Sequence, residues 1–65
     1  MNKLETEATE TGYSHGHAHA NYVSVYGGDP HAEPEVPAWF ASVATYFTAA
    51  YEEGVQAFLD EDRDD

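Results

Sequence analysis

The stretch Val36 to Leu59, VPAWFASVATYFTAAYEEGVQAFL, holds most of the chain's large apolar side chains and decides the fold class. With successive residues about 100° apart, Phe40, Val43, Ala44, Phe47, Ala50, Tyr51, Gly54, Val55 and Phe58 fall on one face. Ser42, Thr45, Thr48, Glu52, Glu53 and Gln56 fall on the opposite one. The spacing predicts one long amphipathic helix over about residues 37–59. Pro37 suits its first position, where the missing N–H would be unpaired anyway, and Glu33 and Glu35 put negative charge near the positive end of the helix dipole. Trp39 and Tyr46 lie on one flank of the stripe as rim residues, with an aromatic body to pack and a polar edge to reach water. At the other end Asp60, Glu61, Asp62, Asp64 and Asp65 crowd a terminus whose carbonyls already make the field negative, which predicts fraying after Leu59. Gly54 interrupts the stripe at a cost of about 1 kcal/mol relative to Ala. Because the spacing from Tyr51 through Val55 to Phe58 carries through it in register, close approach of another backbone is expected there rather than a break.

The chain has 65 residues, enough for one domain at most. Fixing about 22 helical residues costs roughly 1–2 kcal/mol each in backbone entropy, which one amphipathic helix without a facing layer does not recover. The expectation is therefore a mainly α chain that is not an independent globular fold, with the second layer coming from a larger protein partner or from self-association. There is no cysteine, so disulfides and thiolate metal sites are excluded. The segment MNKLETEATET has one basic residue and no apolar run, and reads as no signal peptide. Pro37 to Tyr51 is too short and too rich in Ser and Thr to span a bilayer. A soluble protein is expected, cytoplasmic or virion-associated.

Thirteen acidic residues against Lys3 and Arg63 give a net charge of -11, which argues against direct binding of nucleic acid or an anionic membrane. Abundant Asp and Glu, scarce Lys and frequent Ala and Thr resemble the composition of haloarchaeal proteins, a resemblance of composition and not of family. An acidic nucleic-acid mimic would want charge spaced along a rigid surface, whereas seven of the thirteen acids lie between Glu52 and Asp65, mostly in a tail. A third reading is an acidic surface that meets one basic partner.

In chain order, Met1 to Gly12 has no period of either kind and reads as an acidic, partly disordered tail whose only large aliphatic is Leu4. Tyr13 to Tyr26, YSHGHAHANYVSVY, alternates with period two, and Tyr22, Val23, Val25 and Tyr26 give its second half the content of a strand. The expectation is an extended or single-strand segment that lies along a partner's sheet edge. Residues 27–36, GGDPHAEPEV, read as a turn and an extended linker, and residues 60–65 as an acidic tail.

One constellation invites chemistry: His15, His17 and His19, with His31 further on. In an extended chain alternate side chains share a face about 6.6 Å apart, so three imidazoles there would reach one Zn or Cu ion. The bland alternative is a set of polar side chains on a partner-facing segment. No phosphate loop follows Gly27 and Gly28, and Ser14 and His15 point apart if extended, so no nucleophile and base are paired. The sequence thus points to a non-enzymatic interaction protein, an accessory subunit of a multi-subunit enzyme or a minor structural component of a virion. It would dock through Trp39, Phe40, Val43, Phe47, Tyr51, Gly54, Val55 and Phe58 on the helix and Tyr22, Val23, Val25 and Tyr26 on the extended segment. The alternatives are a His-rich metal-binding or metal-delivery peptide and, third, the acidic mimic.

Overall fold

The computed structural model describes residues 2–62, without the side chain of Asp62. It contains an α-helix, α1, over Lys3–Tyr26, a 3-10 helix over Ala38–Val43, and a second α-helix, α2, over Ala44–Asp62. No strand occurs among the described residues.

Helix α1 replaces both the tail expected before Tyr13 and the extended segment expected after it. Its start is built by Asn2 and Glu5. The Asn2 side chain accepts the Glu5 N–H at 2.8 Å, and the Glu5 carboxylate accepts the Asn2 N–H at 3.0 Å, closing a reciprocal capping box. Every fourth residue from Ala8 to Ala20 is small and buried: Ala8, Gly12, Gly16 and Ala20. These four lie on one line down the helix, and that line, not an apolar stripe, is the face α1 buries. Two glycines cost about 1 kcal/mol each in a helix interior. Tertiary contact overrides that cost, and the same contact turns the alternating His, Gly and Ala residues into helix instead of strand.

A Cβ on Gly12 would overlap the Phe47 carbonyl oxygen, one on Gly16 the Tyr51 carbonyl oxygen, and one on Gly54 the Tyr13 carbonyl oxygen. The helix backbones therefore touch, and Gly54 sits at the close approach expected from its place in the stripe. The same contacts give the direction of packing. Gly12 to Gly16 is a step of about 6 Å along α1, and Phe47 to Tyr51 the same step along α2. Antiparallel helices touching at the first pair would stand about 12 Å out of line at the second, so α1 and α2 run parallel. The second layer expected from another chain is thus the N-terminal half of this one.

A parallel pair needs a long return. The eleven residues 27–37 reach roughly 40 Å if extended, enough to retrace a helix of about 36 Å. Gly27 and Gly28, with φ of 94° and 130°, turn the chain out of α1, and the Gly27 N–H closes the helix on the Val23 carbonyl at 2.7 Å. The strap then passes α2 at Glu52 and Thr48 and brings Val36 against the core. Pro37 is extended (φ −57°, ψ 145°) and precedes a 3-10 helix, so the single helix expected from residue 37 is two elements. In a 3-10 helix side chains three apart eclipse one another, which aims both Phe40 and Val43 inward. Helix α2 continues to Asp62, past the fraying point expected at Leu59, while the rest of the expected acidic tail, residues 63–65, lies outside the described residues.

The core is Ala8, Ala20, Phe40, Val43, Phe47, Tyr51 and Val55, with Val36, Phe58 and Leu59 packed at its edge. Phe47 stacks at 6.3 Å on Tyr51 and lies 5.8 Å from Phe40, centroid to centroid. The molecule is a slab of 37 × 22 × 12 Å, about one helix thick.

Candidate interaction surface

The residues singled out on the sequence divide into two groups. Phe40, Val43, Phe47, Tyr51, Gly54 and Val55 are buried in the seam between the helices, and Phe58 is half-buried beside it. Val23 is half-buried on α1. Tyr22, Val25, Tyr26 and Trp39 face outward, at 59, 65, 74 and 72% exposure. Leu4, Tyr13 and Tyr46 are exposed to a lesser degree.

The histidines straddle the seam. His15 sets its ring edge-on to Phe47 at 6.0 Å, and His19 lies 5.8 Å from the Tyr51 ring. His17 projects to the other flank, edge-on to Phe58 at 5.3 Å. Its Nε2 lies 3.4 Å from a Glu61 carboxylate oxygen, whereas His19 Nε2 donates to the Asp29 carbonyl oxygen at 3.2 Å. Two ring nitrogens thus aim at different partners on opposite flanks. The extended backbone that would have aligned three imidazoles is absent. Among the described residues no group of three or more His, Cys, Asp or Glu side chains is placed to hold a metal ion. What the imidazoles do is flank the small-residue line of α1 and cover the aromatic rings of α2. The His17–Glu61 pair is 37% and 67% exposed, so its contribution is screened by water and small.

His31, Glu33, Pro34 and Val36 of the strap face Thr48 and Glu52 of α2 across a concavity of about 530 Å³. Asp29 shapes the strap's first turn: its carboxylate accepts the His31 N–H at 2.9 Å, and its carbonyl accepts the Ala32 N–H at 3.2 Å. Among the described residues one ionisable group is clearly perturbed, Tyr51, whose phenol burial pushes up from its ordinary value of 10.0.

Sequence reasoning missed the line Ala8, Gly12, Gly16 and Ala20 and the capping box of Asn2 and Glu5. Both have a sequence signal: small residues at spacing four, which let helix backbones meet, and Asn-x-x-Glu ahead of a helix. The first is best known inside membranes, yet no described helix here is long and apolar enough to cross one.

No family model, curated protein or solved structure matches the chain. The functional reading accordingly rests on this surface alone.

Proposed function

We propose that the chain is a small, acidic, non-enzymatic interaction protein, an accessory subunit of a larger enzyme or a minor structural component of a virion. One observation carries the reading: Tyr22, Val25, Tyr26 and Trp39 stay more than half exposed, while Phe40, Phe47 and Tyr51 are buried. Exposed Tyr and Trp are the side chains that anchor protein interfaces, because they combine large contact area with little rotamer entropy to lose. The two ends carry separate anchors. Trp39 opens the 3-10 helix, and Tyr22, Val25 and Tyr26 close α1. Docking through these ends leaves the helix seam intact, so the protein binds as a preformed unit and not by folding onto its partner.

The test is copurification in multimolar salt with the partner identified by mass spectrometry, followed by titration of that partner with the parent and with Trp39→Ala and Tyr26→Ala. One or both substitutions should weaken binding by about tenfold or more while circular dichroism is unchanged. A chain that sediments as a monomer with no stoichiometric partner would remove the proposal.

A further inference from the structure

Tyr22, Val25 and Tyr26, at spacings of three and four, form one ridge along the last turns of α1. The two tyrosine rings lie 4.7 Å apart at 42°, so they stand as a pair with their outer faces free. Parallel packing decides what surrounds this ridge. Beyond the contact of Gly16 with Tyr51 the two helices run on in the same direction, and α2 ends with the Glu61 carboxylate beside His17 and Asn21, short of Tyr26 and on the flank away from the ridge. Both C-termini therefore point toward the same end of the molecule, and their dipoles add instead of cancelling. Neither has a basic residue in its last turn. Helix α2 closes with Asp60, Glu61 and Asp62, and on the ridge's own flank Asp29 follows α1 after two glycines, its carbonyl bonded to His19. Of the two basic residues, Lys3 starts α1, at the far pole, and Arg63 lies outside the described residues.

We propose that the Tyr22–Val25–Tyr26 ridge docks a cationic, arginine-rich segment of a partner protein. This rests on the interaction-protein reading and names the partner's chemistry. Ring faces attract guanidinium groups, which stack on them while their N–H groups reach nearby carboxylates and helix-end carbonyls. A nucleic acid or an anionic membrane meets repulsion at this pole, and a second copy would set one acidic pole against another. The occupant that satisfies both the rings and the field is basic and peptidic.

The experiment titrates the intact chain with hexa-arginine and hexa-lysine peptides in about 0.15 M salt, followed by backbone amide resonances. The largest shifts are expected at residues 22–29, with hexa-arginine bound more tightly than hexa-lysine. Tyr22→Ser with Tyr26→Ser should weaken hexa-arginine on the order of tenfold. Asp29→Asn with Asp60→Asn, which keeps the rings, should weaken it about threefold. Glu7→Gln with Glu10→Gln makes the same charge change away from the pole and should cost less than about twofold. Shifts spread over the whole chain, equal losses from the two acid-to-amide pairs, or no loss on removing the tyrosines would each overturn the proposal, because they report net charge alone. A copurified partner that binds the tyrosine variant as well as the parent overturns this inference and leaves the interaction-protein reading standing. Ridge-specific peptide binding with no copurified partner does the reverse.

Discussion

The two helices meet along one seam but contribute to it by opposite means. Helix α2 and the 3-10 helix before it bring Phe40, Val43, Phe47, Tyr51 and Val55, side chains large enough to declare their period in the sequence. Helix α1 brings Ala8, Gly12, Gly16 and Ala20, which bury almost no side chain and present backbone. Burial on one side and absence of obstruction on the other are a single interface, because rings reach across only when the helix axes are close. The comparison teaches that half of a helix seam can consist of Ala and Gly, whose small side chains leave little amplitude in a hydropathy pattern.

The largest effect should come from the ring side. Phe47 is 1% exposed and contacts Phe40, Tyr51 and the His15 ring. Phe47→Ala removes that ring and leaves a cavity, at a cost of about 3–5 kcal/mol. In a domain of this size that is comparable to the whole stability. Urea denaturation followed by circular dichroism should show the parent's cooperative transition abolished or moved to very low denaturant. A midpoint within error of the parent's would mean the seam is not the core.

The backbone side gives the sharper test, because two effects oppose each other. In an isolated helix Gly→Ala stabilises by about 1 kcal/mol. At Gly16 the added methyl would meet the Tyr51 carbonyl oxygen, with the Tyr51 carbonyl carbon at 2.7 Å, so the helices must part. Overpacking of this kind costs roughly 1–3 kcal/mol, occasionally more, and backbone gives way less readily than a side chain. Gly16→Ala should therefore destabilise by about 1–2 kcal/mol net, and Ala18→Gly, on the exposed back of the same helix, should cost about 1 kcal/mol from propensity alone. Stabilisation by Gly16→Ala would break the close-approach account.

The same contrast explains what the sequence made legible. The amphipathic stripe from Phe40 to Phe58 and the close approach at Gly54 could be read because rings and a misplaced glycine leave a periodic trace. The identity of the facing layer could not, because a line of Ala and Gly among histidines and threonines has no apolar amplitude. The alternation at His15, His17 and His19 then suggested a strand, although residues two apart in a helix point to opposite flanks and here reach Glu61, Asp29 and two different sets of rings. The break between 3-10 and α geometry at Ala44 leaves no trace in an apolar period, since both place Phe40 and Val43 inward.

The smallest effect is confined to high pH and isolates one group in the seam. Tyr51 stacks on Phe47, packs against the His19 ring and is 8% exposed. Burial raises its phenol pKa above 10.0 because the phenolate is poorly solvated there. The sign follows from linkage: the folded state holds the proton more tightly than the unfolded state does. The stabilisation is fully present below the unfolded value near 10.0 and is lost as pH rises through the folded value. Stability should thus be flat in this term at neutral pH and begin to fall only above about pH 10. Tyr51→Phe keeps the ring and removes the titration, so it should reduce the slope of the denaturation midpoint against pH above pH 10. A slope equal to the parent's would place Tyr51 in water and part the aromatic side of the seam from the glycine side it is packed against.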